Sequence, residues 1–339
     1  MGNVVGSPPG AQLRVLVGSL LLVIATWGPE NHAAPASHAP APIVEESDPI
    51  LRGRVNAQVP VRETPAHVEA ARHEWHLLND RFWQITSPPG EDAVVTDFAE
   101  GNRGACQAGM IEVAGRMKQH FMLDELQNQA CSSWITRKFP ERCREFDRAK
   151  WLEISRAVPV SEPMRFCIDR FEYPNRKDVY PVVMVSWYEA DATCRHDGKR
   201  LCSENEWTFA CEGEEARPYP TGYKRDAEAC VIDRPWVKYD APALMPRNTA
   251  RAKHELDRLW QGLPSGSSPG CKSAFGVHDM TGNVDEWTRS SIPGERPSVL
   301  KGGYWGPVRT RCRPATKAHG ETHTFYQQGF RCCADAPKP

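Results

Sequence analysis

An excess of charge of either sign is missing from this 339-residue sequence: 42 basic residues stand against 43 acidic ones, a formal net charge of -1. Such a chain casts no long-range field, so nucleic acid and anionic lipid surfaces are excluded as its main partners. Also missing is any CxxC or CxxH pair, the spacing at which zinc is commonly held, so the twelve cysteines do not read as a zinc site. Long apolar runs are scarce too. The clearest, Val15 to Trp27, falls short of the roughly 20 residues that a spanning helix needs.

That short run follows Arg14 and leads into Gly28-Pro29 and the small residues from Ala33 to Ala36. The order predicts a secretory signal peptide over residues 1–36, a secreted or periplasmic protein, and no membrane span once the signal is cleaved. An uncleaved anchor is the alternative. No cysteine closely follows the run, which argues against a lipid anchor. Twelve cysteines, an even number, then predict a disulfide framework in an oxidising compartment.

Residues 37–63, rich in Ala, Pro and His, cannot bury a core and read as a linker. Residues 64–104 read as an accessory helical segment. Thr64-Pro65 resembles an N-cap, and Val68, Ala71, Trp75, Leu78 and Phe82 recur at helical spacing. His67, His73 and His76 would lie on its solvated face. The main domain spans 105–335. Its segment from Gly109 reads as a strand, and 116–157 as mostly helical, with Cys131 and Cys143 near enough to staple a local loop. Strands are predicted from Phe166 and over Val182 to Val185.

Ser186-Trp-Tyr-Glu189 and Ser203-Glu-Asn-Glu206 are capping boxes that open two helices. Gly198 and Gly213 are natural stops for them. Beyond Gly213 the reading is of turns with little helix and short strands such as Ser298 to Lys301. The fold class expected is α+β, loop-rich and low in regular secondary structure.

Four ordered blocks carry a resemblance: PVVMVSWYEADATCRHDGKRLCSENEWTFACEG from Pro181, GVHDMTGNVDEW from Gly276, VLKGGYWGPVRTRC from Val299 and QGFRCC from Gln328. From about Cys106 to Cys333 the chain resembles the formylglycine-generating-enzyme, or sulfatase-modifying-factor, family. The resemblance implies a C-type-lectin-like fold and disulfides Cys194–Cys332 and Cys211–Cys312. Other pairings stay open, Cys230–Cys271 being one candidate. It also implies structural Ca²⁺ at positions Asp279, Gly282, Val284 and Glu286, a hard-oxygen set suited to that ion. A second family calcium site, near Val231-Ile232, is not carried over, because Val231 replaces an oxygen-bearing residue.

The aerobic enzymes of the family hold Cu(I) on two cysteines shortly after the GG turn and oxidise a substrate cysteine to formylglycine. Here Gly302-Gly303-Tyr304-Trp305-Gly306-Pro307-Val308-Arg309-Thr310-Arg311-Cys312 contains one cysteine, in the context of the structural disulfide. Against the family the loop is about five residues shorter and lacks both copper ligands. Tyr304 stands at a usual serine, and Asp285 at a usual aromatic residue. A related branch, the ergothioneine-type sulfoxide synthases, uses histidine-bound iron and a helical bundle for which 64–100 is too short.

Two functional readings follow. In the first, the chain is an exported binding or accessory module without the copper pair, acting on a protein or peptide partner. Tyr304, Trp305, Arg309, His319 and Tyr326 would line its ligand site. In the second, it is an active formylglycine-generating or related metal-dependent oxygenase with a relocated metal. The aromatic residues could equally be core, and the arginines paired with nearby acids.

Overall fold

A computed structural model describes residues 72–87, 106–136 and 142–338. The segments expected to be a signal peptide and a linker, with Thr64-Pro65 and His67, lie outside the described residues. Those described all fall within one compact unit, residues 67–339.

The first described segment, residues 72–87, forms a hairpin and not a helix. Strands β1 (Trp75–Leu78) and β2 (Phe82–Ile85) pair antiparallel, with Trp75 opposite Ile85. This corrects the expected accessory helix. Asn79 and Asp80 take left-handed conformations (φ 49° and 55°), which their short polar side chains tolerate, and the chain reverses there. All four β2 residues are buried, so packing overrides the helical spacing of Trp75, Leu78 and Phe82.

Strand β3 (Met110–Gly115) follows, and then α1 (Leu123–Asn128), β4 (Cys131–Trp134), β5 (Cys143–Phe146) and α2 (Arg148–Ile154). The segment 116–157, expected to be mostly helical, is therefore interrupted by a hairpin, and Cys131–Cys143 closes it across β4 and β5.

β6 (Met164–Asp169) leads to the apolar segment Val182–Val185. This is fully buried but makes only an isolated bridge, Val183 to Trp83, instead of a strand. Helices α3 (Trp187–His196) and α4 (Glu204–Glu212) start at the two expected boxes: Ser186 accepts from the Glu189 amide, Ser203 from that of Glu206, and both glutamates reach back. β7 (Arg200–Leu201) lies between them. Gly198 and Gly213 stand at the ends with φ of 70° and 69°.

The stretch past Gly213 contains one helix the sequence reading missed, α5 (Ala250–Leu259), whose N-cap Thr249 accepts from the Ala252 amide. The usable signal was Thr249 followed by Ala252, Leu256 and Leu259, all buried at helical spacing. β8 (Asp285–Arg289), β9 (Ser298–Lys301), β10 (Ala315–Thr316), β11 (Gln328–Phe330) and β12 (Cys332–Asp335) complete the chain.

Two four-stranded sheets organise the domain, in the orders β3-β6-β12-β7 and β10-β9-β8-β11. Pairing is antiparallel except for β11 beside β8. Successive strands β11 and β12 lie in different sheets, so the chain crosses between the sheets at Arg331, which has no exposed surface.

The twelve cysteines form six disulfides: Cys106–Cys167, Cys131–Cys143, Cys194–Cys332, Cys202–Cys333, Cys211–Cys312 and Cys230–Cys271. Both pairings implied by the resemblance are present. So is the Cys230–Cys271 candidate. Adjacent Cys332 and Cys333 pin the terminal strand to α3 and to the residue before the second box. The fold is the loop-rich α+β, C-type-lectin-like class expected.

Candidate functional site

The Gly302–Cys312 loop leaves β9 through two left-handed glycines, φ 86° and 72°. A Cβ on Gly302 would stand 2.9 Å from the Met280 carbonyl, so the turn excludes side chains. Trp305 is 1% exposed, and its amide donates to the Asn283 carbonyl at 3.1 Å. Its ring meets Trp260 edge-on at 4.7 Å, Trp260 meets Trp75 of the hairpin at 5.4 Å, and Tyr326 lies 5.9 Å from Trp305. Tyr304 joins this cluster at 5.6 Å from Trp305 and 6.2 Å from Tyr326. Tyr304, Trp305 and Tyr326 thus come together, and with Trp236 they line a small hollow whose exposed members are Pro235 and Trp236.

The cationic residues are committed elsewhere. Arg309 donates from one nitrogen to both oxygens of Asp285 at 2.9 Å and, from Nε, to Thr316 at 2.6 Å. Asp285, in place of a usual aromatic, is therefore the partner that holds Arg309. Arg313 grips Glu212 with two bonds of 2.7 and 2.6 Å, and fully buried Arg311 donates to Asn128 at 2.9 Å. His319 stacks on His323 at 4.1 Å. Burial, then each other, depress His319 to about 4.

Sequence reasoning missed the clamp over this loop. Arg142, just before β5, donates to the Pro307 carbonyl, while Arg225 donates to the Val308 carbonyl at 3.1 Å. Arg225 is held in turn by Asp233 through two 2.7 Å bonds. No local pattern marks such contacts, which join residues more than 80 positions apart.

Sulfur decides the copper question. All twelve cysteines are paired, and Cys312, the sole cysteine of the loop, is bonded to Cys211. Cu(I) sites of the family kind need two thiolates, and a disulfide sulfur carries no charge to offer. These residues do not fit the copper group.

The carboxylate box gives a different answer. Glu286 Oε2 accepts from Arg331 Nε at 2.6 Å and from Trp207 Nε1 at 2.9 Å, and its Oε1 accepts from Arg331 at 2.8 Å. Asp279 accepts from the Gly266 amide at 2.6 Å. A third acid, Glu172, missed by sequence reasoning, accepts from Ser265, Asn283 and the Val284 amide.

Three buried carboxylates thus share one guanidinium. Desolvation raises Asp279 to about 7, and desolvation with the Asp279 and Glu286 charges raises Glu172 well above its usual range. Among the described residues no group of three or more acids, histidines or cysteines is placed to hold a metal ion, so a Ca²⁺ ion here rests on the resemblance and on the hard oxygen donors alone. Asp279 with the Gly282 and Val284 carbonyls would hold it, and Glu286 Oε1, bonded once by Arg331, keeps a second lone pair to share. His73 and His76 are not near such a box: His73 pairs with Asp257 at 2.9 Å and His76 with Thr86 at 3.2 Å.

Comparisons with known proteins bear on the family alone. The family described as "Sulfatase-modifying factor enzyme 1-like domain" matches residues 115–336. The chain is 31% identical over 183 residues to a bovine (Bos taurus) protein named "Inactive C-alpha-formylglycine-generating enzyme 2", covering 47% of this chain and 52% of that one. It is 29% identical over 186 residues to the "Formylglycine-generating enzyme" of Mycobacterium tuberculosis, covering 46% and 58%. The chain spans about half the length of the curated relatives it matches. Among solved structures it is similar to "Crystal Structure of CarF", at 15% identity and TM-score 0.38, covering 52% of this chain and 89% of that one.

Proposed function

The chain belongs to the sulfatase-modifying factor enzyme 1-like domain family, and we propose that within it this protein is an exported, non-catalytic member serving as a binding or accessory module for a protein or peptide partner. The observation that carries the reading is the Cys211–Cys312 disulfide. It takes up the one sulfur that the Gly302–Cys312 loop has. Formylglycine formation in the family uses O₂ as oxidant, activated by Cu(I) on two thiolates of that loop, and this chain keeps none free.

The packing of the loop supports the same reading. Trp305 is buried against Trp260, and Arg142 and Arg225 bond its outer carbonyls, so the loop is a wall of the domain. Export is supported by the apolar run Val15 to Trp27 and by six disulfides, which persist in oxidising compartments. Among the described residues no helix is long and apolar enough to cross a membrane. Structural Ca²⁺ at Asp279, Gly282, Val284 and Glu286 belongs to the proposal, with charge offset as its role.

The test is a formylglycine assay on purified protein, loaded with Cu(I) and supplied with O₂ and a cysteine-containing sulfatase peptide. Thiols are titrated in denaturant without reductant alongside. No modified peptide and no reactive thiol are expected. Stoichiometric product, or two titratable thiols with bound copper, would overturn the reading in favour of an active oxygenase.

A further inference from the structure

We propose that an open hollow on the hairpin side of the domain is a binding site for an uncharged saccharide. It measures about 520 Å³, within the range of small-molecule sites, and has room for one or two sugar rings. Its walls come from four places: the β1–β2 turn at Asp80, the α3 N-cap Ser186, the loop carrying Met245, Arg247 and Asn248, and the loop carrying Thr322 and Thr324.

The frame is preformed. Arg247 donates to the Met184 carbonyl and to Glu189, each at 2.7 Å, and its own carbonyl accepts from the Trp83 indole at 2.6 Å. The hairpin is joined to the body again by the Trp83–Val183 bridge. Binding would therefore order little that is not already ordered.

The free polar groups set the ligand chemistry. Arg247 is neutralised by Glu189, which leaves Asp80 as the one uncompensated charge of the lining. An anion would meet a carboxylate with no free cation beside it. Among the described residues, Asn248, Thr322 and Thr324 have no hydrogen-bond partner for their side chains. Thr324 is only 7% exposed, so its hydroxyl is held in place by the surrounding packing and can exchange solvent for a ligand hydroxyl at little ordering cost.

One amide, two hydroxyls and a carboxylate offer mixed donors and acceptors of the kind a polyol satisfies. Half-exposed Met245 supplies an apolar patch for the C–H face of a sugar ring. A peptide main chain is less well served, because the free groups are side-chain ends and not a strand edge.

The site is separate from the Gly302–Cys312 loop, so the outcome of the formylglycine assay does not bear on it. Saturation-transfer NMR and calorimetry would be run on the full protein with maltotriose, cellotriose, mannotriose and chitotriose. Transfer to at least one of the four is expected, with affinity falling at least tenfold in Thr324→Val and in Asn248→Ala. Asn248 is exposed, so its variant keeps the test valid should the buried substitution unfold the protein. Absence of transfer from all four sugars, or affinity unchanged in a folded Asn248→Ala protein, would overturn the proposal.

Discussion

Arg331, the residue at which the chain passes from one sheet to the other, donates to both carboxylate oxygens of Glu286, with neither side chain exposed to water. Glu286 lies on β8 of one sheet, and Arg331 immediately precedes β12 of the other. Their pair joins the two layers at the domain centre. Replacing Glu286 with Ala would remove both carboxylate bonds of a buried guanidinium, and a loss of about 3 kcal/mol is expected. Urea unfolding should show it as a lower midpoint, with Glu286→Gln losing less because it keeps one acceptor.

Calcium should stabilise the protein through the carboxylate box. Thermal unfolding is expected to occur at higher temperature in millimolar Ca²⁺ than in chelator, and the difference should shrink in Asp279→Asn. An identical transition in both buffers would remove calcium from the proposal.

The Cys211–Cys312 bridge ties α4 to the end of the shortened loop across 101 residues. In the chain-entropy view a bridge of that span stabilises by about 4.7 kcal/mol. A Cys211→Ala, Cys312→Ala double variant should lose about that much, read from its denaturant midpoint.

Gly282 cannot accept a side chain. Its φ is +85°, and a Cβ would stand 2.3 Å from the Val231 carbonyl. Gly282→Ala is expected to cost about 2 to 4 kcal/mol, from left-handed strain and overpacking together. Gly294 offers a control. Its φ is +82° but nothing lies within 4 Å, so Gly294→Ala should cost less in the same assay.

Acid should loosen the C-terminal loop. Burial and the neighbouring His323 hold His319 at about 4, and burial holds His323 below its usual value. The unfolded chain therefore binds more protons in this range. The contribution is complete above about pH 6.5 and is lost as pH falls toward 4. A His319→Gln, His323→Gln variant should show a smaller fall in melting temperature between pH 7 and pH 4.5 than the wild type.

Local chemistry was the legible part of the chain. Ser186 with Glu189 and Ser203 with Glu206 specify helix starts within four residues, and both boxes formed as read. Glycines at 198 and 213 mark the ends for an equally local reason, the left-handed conformation. The hairpin at 75–85 misled the reading because its helical spacing of apolar residues was outweighed by burial of every residue of β2.

The sequence by itself determined that the Gly302–Cys312 loop has a single cysteine, that the cysteines can pair completely, and where the capped helices begin. Each of these follows from composition or from contacts a few residues apart. Only the tertiary structure decided that Trp305 is an inner wall, that Arg309 belongs to Asp285, and that Glu172, Asp279 and Glu286 gather around Arg331. Those outcomes depend on residues up to 159 positions apart, Glu172 and Arg331, meeting where neither has exposed surface. There the cost of an unpaired charge, not local propensity, selects the partner.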